Sequence, residues 1–295
     1  MKALNYQEAL VLYKDELLDF DQELEFYEKT LAEYSQALNG QDGTEYELSQ
    51  STKEQGIYEF INNYCSGINQ YSDAEGQKTK KSKLLGILIY GWIFHGEYPK
   101  NNNKPGYWAK TKYAIIHQMF YIWMLSDSRL GALAFPRKYG KTSSEKIFIS
   151  WCASTVNFKY LVWVGDTDDN ITLQLANVKE ALANNELIRS VFGQMQSNDL
   201  PWKNNEIKTL TGFHLIAKSK RSPFRGLLDD SPPDLILADD IDNDEEKHSL
   251  MLRDKLDDRL DTALYPACLP DGVVRHVGTL LYDDCILDRR IKNDV

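Results

Sequence analysis

The stretch Leu133-Ala134-Phe135-Pro136-Arg137-Lys138-Tyr139-Gly140-Lys141-Thr142-Ser143 decides the reading of this chain. A short apolar run predicts a strand, the residues from Pro136 to Gly140 a tight loop, and Gly140-Lys141-Thr142 the opening of a helix. Strand, loop and helix in that order are the plan of a phosphate-binding loop. Backbone N–H groups wrap the anion, a lysine neutralises the β/γ oxygens and a hydroxyl reaches Mg²⁺. On this reading Pro136, Arg137, Lys138, Tyr139, Gly140, Lys141, Thr142 and Ser143 hold a nucleotide, with Lys141 stabilising charge and Thr142 a metal ligand. The usual pattern asks for Gly where this chain has Phe135, so a plain helix N-terminus after a strand is the competing reading.

A second stretch, Pro233-Asp234-Leu235-Ile236-Leu237-Ala238-Asp239-Asp240-Ile241-Asp242, carries an apolar run into two adjacent carboxylates. A continuous apolar run suits a buried parallel strand, and ligands bind outside the carboxyl ends of such strands. Asp239 would then hold the Mg²⁺ and its waters, and Asp240 would polarise an attacking water. The competing reading is a strand ending in a solvated acidic turn, since Asp242, Asp244, Glu245 and Glu246 follow.

The chain has 295 residues, 42% hydrophobic and 26% charged, which suits a soluble α/β domain with an appendage. No apolar run approaches a membrane span, and the N-terminus has no apolar signal core. Cys65, Cys152, Cys268 and Cys285 lack metal-site spacing and suit free thiols in a reducing compartment. The formal net charge of −10 disfavours tight non-specific nucleic-acid binding by the isolated chain, though not a channel shared among subunits.

Tyr6, Leu10, Tyr13, Leu17, Phe20, Leu24, Tyr27, Leu31, Tyr34 and Leu38 recur at spacings of four and three, a heptad seam ending at Asn39-Gly40. A second seam, Ile57, Ile61, Tyr64, Ile68 and Tyr71, predicts an antiparallel helix pair. Residues 1–76 are therefore expected to form a helical arm, 77–106 a linker and helix, and 107–295 the domain bearing the loop. In that domain strands are expected at 160–165, 206–217 (a hairpin turning near Thr211-Gly212), 235–238 and 273–279. Helices are expected at 108–125, 144–156, across most of 166–192 and at 247–260. This alternation predicts an α/β, doubly wound, mainly parallel sheet flanked by helices.

With these motifs in place, residues 107–290 resemble the ATPase domain of phage large terminase subunits, the motors that package viral DNA. The resemblance rests on Arg137-Lys138-Tyr139-Gly140-Lys141-Thr142, the strand at 161–165 with its long helix and Phe192-Gly193, Arg225-Gly226 before the acidic strand, and Val277-Gly278-Thr279. It implies a P-loop fold that hydrolyses ATP with Mg²⁺, with catalytic roles for Lys141, Arg137 and Asp240. An Arg in the loop without the first glycine is common in that family. Gly278 and Thr279 would couple hydrolysis to motion, with Asp283-Asp284 just beyond, and Arg225 is a candidate for reaching a neighbouring subunit's site. The implied partners are double-stranded DNA, a portal on a procapsid, a small terminase subunit and further copies in a ring, in the cytoplasm of an infected bacterium. Many family members carry Glu where this chain has Asp240, which leaves the water-polarising role least secured. No later acidic cluster follows to bind two metals, so the family's nuclease domain is not expected in this chain. A helicase-type translocase, or a non-catalytic nucleotide-binding assembly protein, are the other readings. The helical arm carries no resemblance.

Overall fold

The computed structural model describes residues 6–38, 50–95, 113–224, 226–227 and 231–292. The expected helix end at Asn39-Gly40, residues 108–112 of an expected helix, and Arg225 lie outside the described residues. In chain order the elements are α1 (Tyr6–Tyr13), α2 (Phe20–Leu38), α3 (Gln50–Cys65), α4 (Lys80–His95), α5 (Ile115–Met124), β1 (Leu130–Ala134), α6 (Lys141–Thr155), β2 (Tyr160–Gly165), α7 (Asp168–Asn184) and α8 (Glu186–Phe192). There follow β3 (Trp202–Lys203), β4 (Glu206–Lys208), β5 (His214–Ser219), β6 (Leu235–Asp239), α9 (Asp244–Lys247), α10 (Leu250–Arg259), β7 (Val273–Gly278) and α11 (Ile286–Lys292). They fall into two units: residues up to 11, 126–184 and from 195 onward, and residues 12–125 with 185–194. Helix α5, read from sequence as part of the loop-bearing domain, groups with the helical unit, as does α8.

The first unit is an α/β fold built on a seven-stranded sheet in the order β1-β7-β6-β2-β5-β4-β3. The first five strands are parallel; β4 and β3 add antiparallel pairings at the far edge. Strand β2 (Tyr-Leu-Val-Trp-Val-Gly) and strand β6 (Leu-Ile-Leu-Ala-Asp) are buried throughout, as central strands covered on both faces must be. On one face Val162, Val164, Ile236, Ala238 and Val274 meet Leu256 of α10, Leu260 and Leu264 of the π-type turn that extends it, and Ile286 of α11. Helix α7 packs on β2 and β5. The topology has one consequence for the site. Strand β7 separates the loop strand β1 from the acid strand β6, so two strand spacings, about 10 Å, lie between them. A lysine side chain rooted in the helix after β1 can bridge much of that gap.

In the helical unit α2 and α3 run antiparallel. Tyr27 packs on Tyr64 with ring centroids 4.9 Å apart, and Tyr34, two turns on, packs on Phe60 at 5.1 Å. The first heptad seam is not one helix. It breaks between Lys14 and Asp19, where Leu17 is extended (φ −68, ψ 146). The cause is a side chain that outcompetes the helical ladder. Gln118 of α5 accepts from the Leu18 N–H at 2.9 Å and donates to the Leu18 carbonyl at 2.9 Å. Asp19 then accepts from the Gln22 N–H at 3.3 Å and restarts the helix. The second seam also outruns its helix: α3 ends at Cys65, and Ile68 is exposed. All four cysteines are free and buried. Among the described residues no helix is long and apolar enough to cross a membrane.

Gln118 and Leu18 are both buried, so Gln118→Ala strands two backbone polar groups. Its expected cost is about 2 kcal/mol, read as a lower denaturation midpoint at unchanged slope. A midpoint equal to that of the parent would show that the Leu18 backbone has other partners.

Candidate functional site

The loop between β1 and α6 is shaped by backbone hand. Lys138 (φ 69) and Gly140 (φ 81) both lie in the left-handed region, on either side of Tyr139. Alternating hand turns successive N–H groups toward one side and makes a concave anion seat. Gly140 has no side chain to cap α6, so the first N–H groups of this 15-residue helix keep their donors for a ligand. The departure at Phe135 has a structural cause. Its N–H donates to the Gly278 carbonyl at 2.8 Å, extending the pairing of β1 with β7, and its ring is buried. The turn proper starts after it, and no glycine is required there.

Lys141 opens α6 and reaches the end of β6. Its ammonium contacts the Asp239 carboxylate, lies 2.9 Å from Asp240 Oδ2 and 3.6 Å from Glu145 Oε1. Lys141 and Asp239 are buried, Glu145 is 0% exposed, and the Asp240 side chain is 48% exposed. Burial alone would depress the Lys141 ammonium, but Glu145, Asp239 and Asp240 outweigh it and hold it above the ordinary lysine value. Burial, reinforced by the neighbouring Asp239, lifts the Glu145 carboxyl well above its usual range. Burial raises Asp239 as well, against the pull of Lys141.

Asp240 adopts φ 42, a hand that Asp tolerates better than most residues. This bend leaves both carboxylate oxygens engaged. Oδ1 accepts the Thr279 N–H at 2.9 Å, and Oδ2 faces Lys141. Gly278 is favoured by closeness rather than by hand: a Cβ there would sit 3.1 Å from Asp240 Oδ1, which would have to yield by a few tenths of an ångström. Pro136, Arg137, Lys138, Gly140, Lys141, Thr142 and Ser143 line one wall of a cavity of about 490 Å³, and Asp240, Asp242, Thr279 and Leu281 line the other. Tyr139 is outside the lining and 59% exposed. Asp239 and Gly278 are also off the wall, Asp239 behind Lys141 and Gly278 behind Asp240.

The donor set suits Mg²⁺. That ion takes one or two carboxylates and fills its shell with water and phosphate oxygens. The Thr142 hydroxyl and Asp239 offer such oxygens, and no cluster of three or more His, Cys, Asp or Glu forms a closed cage among the described residues. A cation at Asp239 must displace the Lys141 ammonium.

Several residues acquire roles that sequence reading missed. Asp242, read from sequence as part of a solvated acidic turn, accepts the N–H groups of Ile286 at 2.7 Å and Leu287 at 3.0 Å and so holds the start of α11. Glu245 pairs with Arg221. Asp284 pairs with Arg289 at 2.8 Å and Arg253 at 3.3 Å, so it braces α11 against α10. Lys220 is buried among Asp166 (2.7 Å), Glu246 (2.8 Å) and the Ile241 carbonyl (2.7 Å), anchoring the segment after β6. Glu145 carried a usable signal, since it stands four residues after Lys141 in a helix. No protein-family model matches the chain, and no curated protein matches it.

Lys141 is the counterion of this cluster, so Lys141→Ala is expected to destabilise the fold by about 3 kcal/mol at neutral pH. The exposed half of Asp240 can turn to water and moderates the loss. The sign with pH follows from the remaining acids. Without Lys141, burial holds Asp239 and Glu145 above their ordinary values of 3.8 and 4.5. Raised acids favour the fold only while protonated. The gap to wild type should be smallest near pH 4 and widen toward pH 8. Denaturation at both pH values checks this, and a gap that narrows as pH rises would refute the shared-charge account.

Proposed function

We propose that this chain is the ATPase motor of a viral DNA-packaging terminase, which hydrolyses ATP to drive double-stranded DNA into a procapsid. The observation that carries this reading is Lys141, placed behind a left-handed loop and facing Asp239 and Asp240 at the carboxyl ends of parallel strands. Phosphoryl transfer to water needs that combination: an anion cradle, a cation on the β/γ oxygens, and acids for a metal and for the water. The sheet supports the P-loop, doubly wound fold to which the motifs point.

In this mechanism the loop N–H groups and Lys141 hold the β- and γ-phosphates, and Arg137 on the cavity wall contacts the γ-phosphate. Thr142 and Asp239 hold Mg²⁺, which when bound supplies positive charge against the charge developing on the transferred group. Asp240 orients the water. Its Oδ2 is engaged by Lys141, so the base becomes available only when Lys141 turns to a phosphate. Its Oδ1 stays on the Thr279 N–H, and water activation is thereby tied to the segment after β7. Gly278 and Thr279 are the coupling residues of this scheme. DNA, a portal-bearing procapsid and a small terminase subunit are the proposed partners, met in the cytoplasm of an infected bacterium.

Phosphate release from Mg²⁺-ATP tests the reading. Asp240→Asn should bind nucleotide as wild type does and lose about 10²–10⁴-fold in turnover. Wild-type binding without phosphate release would favour an assembly protein instead, and normal hydrolysis by Asp240→Asn would place the base elsewhere.

A ring motor makes a second expectation. A chain of net charge −10 holds DNA through contacts shared among copies. Turnover per subunit should therefore rise with protein concentration and with double-stranded DNA, in step with assembly followed by sedimentation. Full turnover in a demonstrably monomeric sample would favour a self-contained, helicase-type translocase.

A further inference from the structure

We propose that Lys220 is a positioning residue that sets the backbone of Asp240 through the Ile241 carbonyl. The inference rests on the reading of Asp240 as the residue that orients the water. It adds a residue outside the two sequence motifs and off the wall of the cavity. Lys220 directly follows β5, and its N–H donates to the Gly165 carbonyl at the end of β2 at 2.8 Å. Its side chain is 2% exposed. The ammonium lies 2.7 Å from Asp166 Oδ1 and 2.8 Å from Glu246 Oε1, and it donates to the Ile241 carbonyl at 2.7 Å. Three acceptors from two segments, one after β2 and one after β6, thus meet the three donors of an ammonium.

A buried ammonium with its carboxylates is costly, and well-packed apolar side chains would fill the same space at less cost. What they could not supply is a fixed donor for the Ile241 carbonyl. That carbonyl directly follows a residue that needs holding. Asp240 stands at φ 42, and a non-glycine residue in the left-handed region persists where its surroundings over-determine it. On one side the Asp240 N–H donates to the Val277 carbonyl at 3.0 Å. On the other, Ile241 is held by its buried side chain and by Lys220. Asn243 fastens the same segment to the same acids: its amide donates to Asp166 Oδ1 at 2.8 Å, and its N–H donates to Glu246 at 3.1 Å. Release of the Ile241 carbonyl would let the Asp240 peptide turn and move its carboxylate, while the loop that holds the nucleotide keeps its shape. A misplacement of about 1 Å at a reacting group can cost about 10²-fold in rate.

The test is a double-mutant cycle with Asp240→Asn, read as single-turnover phosphate release from Mg²⁺-ATP, with nucleotide binding and thermal melting of each variant. Lys220→Met keeps an unbranched side chain and removes its donors. In the wild-type background it should lower turnover about tenfold or more and leave the nucleotide Kd within about threefold. In the Asp240→Asn background it should lower turnover by less than about twofold, because residues that act as a unit are not additive. A general loosening of the fold would cost both backgrounds alike. Equal fold-losses in the two backgrounds overturn the proposal, as does wild-type turnover by Lys220→Met or a Kd that rises as much as turnover falls. Should Lys220→Met fail to fold, Lys220→Met with Glu246→Gln takes its place in the cycle; Asp166, 25% exposed, then keeps its Asn243 contact. If neither folds, Lys220 is a folding residue and the proposal fails. Failure of the underlying reading looks different: wild type would release no phosphate, or Asp240→Asn would hydrolyse normally.

Discussion

The α/β unit is organised around one ammonium. Lys141 is the cation in direct contact with Asp239, Asp240 and Glu145, and it offsets much of the cost of their proximity. Two of these acids are buried, where an unpaired charge is expensive. The geometry that brings them together follows from strand order. Because β7 stands between β1 and β6, the helix after β1 must project its first side chain across a neighbour to reach the acid strand. Lysine is long enough to do this and keeps its charge when buried beside acids.

The three aspartates at the end of β6 do three different jobs, and backbone conformation separates them. Asp239 is the last strand residue and meets Lys141. Asp240 bends to φ 42, which lets one carboxylate serve both Lys141 and the Thr279 N–H. Asp242 is past the bend and caps α11. Lys220, held by Asp166 and Glu246, ties down the same segment from the ends of β5 and β2. An acidic run that composition alone would assign to a solvated turn is largely consumed by specific partners.

Most strands and the loop-to-helix junction were legible because each follows from a short-range signal; the two-residue edge strand β3 was not among those expected. The apolar runs at 160–165 and 235–238 give β2 and β6, and Gly140-Lys141 marks where loop becomes helix. What was illegible depends on distant partners. The heptad seam through Leu17 has no local reason to break; the reason is Gln118, one hundred residues away. Asp242 carries no local sign that it caps α11, since Ile286 is 44 residues on. Phe135 continues the pairing of β1 with β7 and buries its ring, so the position has no left-handed backbone that would call for glycine, and its partner is again out of sequence range. Glu145 was legible in principle, but only to a reader who already knew that the face of α6 bearing Lys141 meets the acid strand.

The same contacts join consecutive elements of the α/β unit. The residues between β7 and α11 are held at both ends by the segment that follows β6: at Thr279 by Asp240, and at Ile286 and Leu287 by Asp242. Helix α11 is in turn braced on α10 through Arg289, which reaches Asp254 at 2.8 Å and Asp257 at 3.1 Å. Asp240 is the one member of this chain of contacts that also touches Lys141. A change in the partner of Lys141 therefore alters the charge balance on Asp240 Oδ2 while Oδ1 still holds the loop. Packed elements respond to such a change by moving between discrete arrangements rather than by deforming smoothly. Under the proposed mechanism, the loop and α11, pinned at two points and tied to α10 by charge, would be the elements to receive that response.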